Sequence, residues 1–354
     1  MKNILVLFGG CSSEHDVSVV SASSVIKNID PEKYKVYMIG ITKDGKWYLY
    51  EGPVDALPED KWLTTGKLTP AVVSPDQGVH GITVVHEDGP ENIRIDVAFP
   101  VLHGKNGEDG TIQGLFQLAG IPFVGCDMTS SAISMDKILT NTVADQNGIA
   151  QAKWDYVTEF DYKTGAKTLE EIATKLGFPI FVKPANAGSS VGISKAHNFD
   201  ELKAAVELAL QHDTRILFEE FIDGYECECA VLGNDDVING IVGQITPANE
   251  FYDYDAKYSN AASILNIPAL VSEELRDKVA CEARKTYKAL GCSGFSRVDF
   301  FVTKADGRVL FNEINTIPGF TNISMYPKMI EAAGISYSEL CDRLITLAEE
   351  KWGK

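Results

Sequence analysis

The sequence predicts an α/β chain of two or three domains with an α+β C-terminal part, and three observations carry that expectation. Residues 1–125 alternate strand and helix periodicities, residues 178–193 form an apolar strand running into a small Gly-Ser loop, and residues 295–315 form two alternating strands bearing an arginine, two carboxylates and a carboxamide. At 354 residues the chain exceeds the size at which one core usually keeps growing. Its 45% hydrophobic and 23% charged residues are those of a globular protein.

Taken in order, residues 4–8 read as a first strand, because a short apolar run ends at Gly9-Gly10. That run is too short for a signal-peptide core. A helix is expected near 17–28, a strand at 34–40, a strand at 93–102 and a helix near 110–118, which together make a doubly wound unit over 1–125. Residues 44–91, rich in Gly, Pro and Asp, read as an excursion with hairpins such as Lys43-Asp44-Gly45-Lys46. A second unit, 126–218, holds a helix at 131–147, strands at 154–158 and 179–184, and a helix at 200–211. The third, 219–354, holds strands, a helix at 272–290, the two acidic strands and a closing helix at 336–350.

The net charge of −18 argues against nucleic acid, since phosphate backbones need clustered Lys and Arg. No stretch is long enough to span a membrane. Seven irregularly spaced cysteines without an export signal suggest reduced thiols and a cytoplasmic protein. Cys227 and Cys229 read as one face of a strand, with no second Cys/His pair at finger spacing to make a metal site.

Side chains alternate along a strand, so Arg297 shares a face with Asp299, and Glu313 with Asn315. Two paired strands would aim all four at one cleft, where the oxygens of Asp299, Glu313 and Asn315 suit magnesium beside a phosphate. A solvated strand face with ordinary ion pairs is the other reading. The loop Ala185-Asn186-Ala187-Gly188-Ser189-Ser190 would let backbone N–H groups approach phosphate oxygens, with Lys183 adding a charge and Ser189 and Ser190 adding hydroxyls. It is not a Walker A loop, and a plain hairpin turn remains the alternative. The segment Leu217-Phe218-Glu219-Glu220-Phe221-Ile222-Asp223-Gly224-Tyr225-Glu226 reads as an apolar strand that becomes an acidic linker. Its backbone could meet an adenine edge and Glu226 a ribose; solvated linker charge is the bland alternative.

Ser134-Met135-Asp136-Lys137, the Lys183 strand and its loop, the 219–226 linker, Arg297/Asp299 and Asn312-Glu313-Ile314-Asn315-Thr316-Ile317-Pro318-Gly319 follow one another in an order that resembles the ATP-grasp superfamily. Within it the chain resembles the D-alanine–D-alanine ligases over nearly its whole length, including Phe8-Gly9-Gly10-Cys11-Ser12-Ser13-Glu14 and His103-Gly104-Lys105-Asn106-Gly107-Glu108-Asp109-Gly110. The resemblance implies a three-domain ATP-grasp fold and ATP-dependent ligation through an acyl phosphate. It implies ATP contacts from Lys137, Phe181, Lys183, Ser189, Ser190, Glu219, Glu220, Phe221, Ile222, Glu226, Phe251, Lys257, Asn312 and Glu313. Two magnesium ions, replaceable by manganese, would lie on Asp299, Glu313 and Asn315, and a monovalent cation is compatible with the family. Glu14, Ser189 and Tyr258 map to a hydrogen-bonded catalytic set, and Arg297 with the Gly319 amide to an oxyanion site. His103, Lys257, Ser324 and Met325 would join Glu14 and Arg297 in binding substrate. For His103 and Ser324 the residues alone also read as a satisfied loop histidine and a helix N-cap. A homodimer through the first domain is implied as well.

Residues 247–267 read as a lid that would exclude water from the acyl phosphate. The resemblance also bears on the second substrate. D-lactate-type relatives carry a lid histidine, whereas His15, His80, His86, His103, His197 and His212 all lie elsewhere. D-serine-type relatives tend to have an acid where Ala256 stands, so Ala256-Lys257-Tyr258 favours D-alanine. A D-serine ligase and a non-catalytic ATP-binding regulatory protein are the alternatives, and the latter would need a lost metal ligand or a lost Arg297. Departures from commoner family forms are His15 beside Glu14, Ala185-Asn186-Ala187, and Asn322-Ile323 before Ser324.

Overall fold

The computed structural model of the chain describes residues 1–188, 191–246 and 264–353. Strand β1 (Lys2–Gly9) lies parallel between β2 (Tyr34–Ile41) and β7 (Val97–Val101). Its apolar run is continuous because both faces are buried. Ile4, Val6 and Phe8 pack under helix α1 (His15–Asn28), while Leu5 and Leu7 pack under α2 (Thr111–Ala119). The expected excursion extends this same sheet through the antiparallel strands β3 (Trp47–Glu51), β4 (Lys67–Val73), β5 (Gly81–His86) and β6 (Gly89–Arg94), giving the order β6-β5-β4-β3-β2-β1-β7. The strand expected at 93–102 is two strands. Asp96 interrupts it, accepting from the Asn3 amide at 2.8 Å and donating its own amide to the Asn3 carbonyl at 2.9 Å.

The helix expected at 131–147 is likewise two, α3 (Met128–Met135) and α4 (Lys137–Gln146). Asp136 breaks it with φ −85 and ψ 104, and its carboxylate caps the amides of Ile138 and Leu139. The same carboxylate pairs with Arg215, which ties the start of α4 to the next sheet. That sheet, ordered β10-β9-β11-β8, contains β8 (Trp154–Thr158), β9 (Ile180–Pro184), β10 (Ser194–Ala196) and β11 (Arg215–Glu220). Three helices accompany it: α5 (Glu159–Thr164), α6 (Leu169–Leu176) and α7 (Phe199–Ala209), the first two not foreseen. A capping box of Thr168 and Glu171 starts α6.

The third sheet follows the order β15-β14-β12-β16-β17, with β13 (Val237–Asn239) paired to β12. Its strands are β12 (Gly224–Gly233), β14 (Gly243–Thr246), β15 (Ile264–Asn266), β16 (Phe295–Thr303) and β17 (Val309–Asn315). One face packs on α8 (Glu273–Ala289) through Val279, Ala283 and Tyr287. The other shares a core with the first sheet, where Phe295, Phe320 and Tyr326 meet Phe99 and helices α9 (Met325–Ala332) and α10 (Tyr337–Trp352).

Phe295 is 1% exposed and stacks edge-on against both Phe320 and Tyr326, so it anchors the loop that carries Gly319. Phe295→Ala is expected to destabilise the protein by about 3–5 kcal/mol. The fall in the denaturation midpoint measures this.

Candidate active site

Between the three sheets lies a cleft of about 1240 Å³. Every site residue singled out from the sequence that is among the described residues lines it. These are Glu14, His103, Lys137, Phe181, Lys183, Glu219, Glu220, Phe221, Ile222, Glu226, Arg297, Asp299, Asn312, Glu313, Asn315, Gly319, Ser324 and Met325. Ser189, Ser190, Phe251, Ala256, Lys257 and Tyr258 lie outside the described residues, as does the expected lid apart from 264–267. Of that remainder Ile264–Asn266 forms β15, a strand paired with β14.

The acidic strands meet as their alternation requires. Arg297 stands opposite Asn315, and Asp299 opposite Glu313. The register then shifts so that Phe300 faces Phe311, which leaves Asn312 as the extra residue of a bulge, a feature that re-aims side chains. Arg297 donates to both oxygens of Asp299 at 2.8 and 2.7 Å, and Asn315 donates to Asp299 at 3.1 Å. Glu228, directly across from Asp299 on β12, approaches the Arg297 Nε at 3.2 Å. Burial opposes the guanidinium charge, and Asp299, Glu228 and Glu313 outweigh it, holding Arg297 above its usual range. Three carboxylates around one arginine leave negative charge in excess. The hard oxygen donors of Asp299, Glu313 and Asn315 on adjacent strands suit a divalent cation.

At the other end Lys137, the first residue of α4, donates to the Ala187 carbonyl at 2.8 Å and so reaches the loop after β9. Lys183 forms a 2.5 Å ion pair with Glu219, which also accepts from Asn141 at 3.1 Å. Burial works against the Lys183 charge, and Glu219, Glu313 and Glu226 overcome it, keeping the ammonium raised. Phe181 and Phe221 face each other with centroids 6.3 Å apart, and the Lys195 ammonium sits 4.1 Å above the Phe221 ring. Both rings line the cleft. Glu220 turns toward Lys153, accepting its amide at 2.9 Å, so its carboxylate serves the strand connection.

Glu14 is 8% exposed, and its Oε2 lies where a methyl on Gly104 would come within 2.4 Å and one on Gly188 within 2.9 Å. Both glycines are therefore needed for the carboxylate to sit between two loops. His103 uses both ring nitrogens inside the protein. Nδ1 donates to the Ile317 carbonyl at 2.9 Å, and Nε2 accepts from the Ser21 hydroxyl at 3.1 Å. Burial pushes this imidazole down, in keeping with a neutral ring. Ser324 stands at the N-cap of α9 yet makes no side-chain cap. Its hydroxyl accepts from the Thr321 amide at 3.1 Å, and a methyl on Gly319 would come within 2.8 Å of it. Met325 is mostly core, lying against Gly243.

Two cleft residues escaped the sequence reading. Glu228 follows from the alternation that put Cys227 and Cys229 in the core, which leaves Glu226 and Glu228 on the cleft face. Burial pushes both of those thiols up to about 12, as expected of inert core cysteines. Glu108 had no such signal. It accepts from the Gly104 amide at 2.8 Å and the Ile317 amide at 3.0 Å, so with His103 it fixes both the N–H and the carbonyl of Ile317.

Residues 3–126 match the family model described as D-ala D-ala ligase N-terminus, and residues 143–346 the one described as D-ala D-ala ligase C-terminus. The chain belongs to the D-alanine–D-alanine ligase family. The D-alanine–D-alanine ligase of Acetivibrio thermocellus is 50% identical over 364 residues, covering 99% of this chain and 96% of the relative. The solved VanG D-Ala:D-Ser ligase from Enterococcus faecalis is 45% identical at a TM-score of 0.90, over 98% of this chain and 99% of that one. The D-alanine–D-alanine ligase from Bacillus anthracis, solved with ATP, is 30% identical at a TM-score of 0.74, over 100% of this chain and 99% of that one. The fold is accordingly ATP-grasp.

Glu108 supplies a pH test. Burial and the nearby Glu14 charge push its carboxyl up to about 8 against its two amide donors. Between the ordinary carboxylate range and about 8 the folded protein then binds more protons than the unfolded chain, so stability falls as pH rises through that window. Relative to Glu108→Gln, the protein is expected to lose at most about 1.4 kcal/mol per pH unit there. Denaturation midpoints across the window measure the slope.

Proposed function

We propose that the chain joins two D-alanines into D-alanyl-D-alanine in a reaction driven by ATP, for peptidoglycan precursor synthesis. The supporting observation is the meeting, in one cleft, of the cation-suited strand pair, the lysine-bearing loops and the glycine-seated Glu14, in a member of this family. A carboxylate does not react with an amine at neutral pH. The γ-phosphate must first move to the carboxylate of one amino acid, after which the amine of the second attacks and phosphate leaves.

Phosphoryl transfer is catalysed mainly by positioning and electrostatics. Lys137, Lys183, Lys257, Ser189 and Ser190 would hold the phosphates. Phe181, Phe221, Ile222 and Phe251 would hold the adenine, with Glu219, Glu220, Glu226 and Asn312 completing the nucleotide contacts. Asp299, Glu313 and Asn315 would hold two magnesium ions, which manganese can replace and a monovalent cation can accompany. Such ions supply charge neutralisation at the phosphates. Glu14 takes the ammonium of the first amino acid, in a set with Ser189 and Tyr258. Arg297 and the Gly319 amide stabilise the oxyanion of the tetrahedral intermediate, Ser324 and Met325 shape the second site, and His103 serves substrate binding by holding the Ile317 loop. We assign three domains at 1–125, 126–218 and 219–354, with a lid near 247–267, and infer a cytoplasmic homodimer. No described helix is long and apolar enough to cross a membrane.

D-serine is the second reading for the acceptor, favoured by the likeness to the D-Ala:D-Ser ligase. Apolar pockets reject an added hydroxyl weakly, so both acceptors need testing. A regulatory protein without chemistry is not supported, because Arg297 and all three cation-suited residues are in place.

With Mg²⁺ and ATP, the purified protein is expected to release ADP and phosphate only when D-alanine is added. Mass detection of products across D-alanine, D-serine and D-lactate identifies the acceptor. No release at millimolar D-alanine or with a mixed pair would end the proposal. Arg297→Ala is expected to lower kcat about 100- to 1000-fold. Steady-state kinetics on the folded variant check it.

A further inference from the structure

Asp60 has a left-handed backbone (φ 55, ψ 23), directly after Glu59 in the same state (φ 60, ψ 24). Two successive non-glycine residues there are uncommon and point to a constraint from their surroundings. Part of that constraint is Trp62. Its indole is fully buried over Gly40, where any Cβ would come within 2.6 Å, and it stands edge-on to Phe8 and Tyr50. Its Nε1 donates to Asp60 Oδ1 at 3.1 Å.

The other part is His15, the first residue of α1 and 2% exposed. Its Nε2 lies 2.9 Å from Asp60 Oδ1, and its Nδ1 lies 2.7 Å from the Gly10 carbonyl oxygen. A carboxylate and a carbonyl are both acceptors, so the two bonds form together only when each ring nitrogen carries a proton. Among the described residues the other charged groups around this pair are Asp16, whose carboxylate lies within 4.8 Å of both the His15 ring and Asp60, Lys43, whose ammonium is 3.5 Å from Asp60 and 2.7 Å from Asp16, and Glu14, the chain neighbour of His15. Burial works to raise the Asp60 carboxyl, and His15, Trp62 and Lys43 outweigh it, holding it below its usual range.

The Gly10 peptide is fixed at both ends, its N–H donating to the Ile41 carbonyl at 2.9 Å and its oxygen bound by His15. Gly9 and Gly10 make the turn out of β1 with φ of 87 and 100, and Glu14 follows that turn. We propose that His15 and Asp60 are positioning residues for Glu14: a charged imidazole locks the Gly9-Gly10 turn to the 58–63 segment and sets where the Glu14 carboxylate meets the ammonium of the first amino acid. The inference rests on the function proposed above for the role of Glu14.

Asparagine tolerates the left-handed backbone, so Asp60→Asn removes the charge without adding strain. In Asp60→Asn and in His15→Gln, the KM of the first D-alanine is expected to rise about tenfold or more, the usual scale for a charged hydrogen bond. kcat and the KM for ATP are expected to stay within about twofold. An equal rise in the KM for ATP, or a lower Tm with unchanged kinetic constants, would overturn the proposal. Nitrogen NMR of the wild-type ring, assigned with His15→Gln, is expected to find both nitrogens protonated at neutral pH, and a singly protonated ring would also overturn it. The ring signal is read without substrate, so a failure of the D-alanine assignment and a failure of the His15–Asp60 pair are told apart.

Discussion

Asp299 is gripped by Arg297 through two hydrogen bonds and by Asn315 through a third, with Glu228 and Glu313 facing the same arginine. An isolated cluster of this sort would be costly to bury, because like charges held close in a poorly hydrated cleft repel. Arg297 offsets part of that repulsion. The rest is the electrostatic basis of the proposal that metal ions are held here beside a nucleotide's phosphates. On that proposal an overall acidic chain would bind a polyanion by concentrating cations locally, on strands whose register fixes the donors.

The neighbouring contacts serve that centre by holding loops still. Phe295 packs against Phe320, while His103 and Glu108 fix the loop at Ile317 and the Ser21 hydroxyl accepts from the Phe320 amide. Gly319 therefore sits between two pinned residues. On the far side the lack of a side chain at Gly104 and Gly188 leaves room for the Glu14 carboxylate. Preorganised donors contribute most where they need not rearrange during reaction, and this cleft is built from loops tied at several points.

Much of this was legible from residue order. The period of two in 295–300 and 309–315 was enough to place Arg297, Asp299, Glu313 and Asn315 together, because side-chain direction along a strand follows from backbone geometry alone. The same period at Cys227 and Cys229 pointed to Glu228, had the opposite face been read. Other features were not local. The break at Asp96 is held by Asn3, 93 residues away, whereas the break at Asp136 is a local helix cap that the reading passed over and that Arg215, 79 residues away, only reinforces. Glu108 acquires its partners Gly104 and Ile317 only once two loops pack. His103 could be read either as a ligand or as a satisfied histidine until Ser21 and Ile317 were placed around it.

The central claim is that Asp299, Glu313 and Asn315 together hold the metal that escorts the nucleotide, and paramagnetic resonance of bound Mn²⁺ tests it most directly. Titrated with ATP present, the wild-type protein should bind Mn²⁺ in a protein-held environment, and Glu313→Gln should weaken that binding by about tenfold or more while remaining folded. Unchanged Mn²⁺ binding in a folded Glu313→Gln protein would contradict the account.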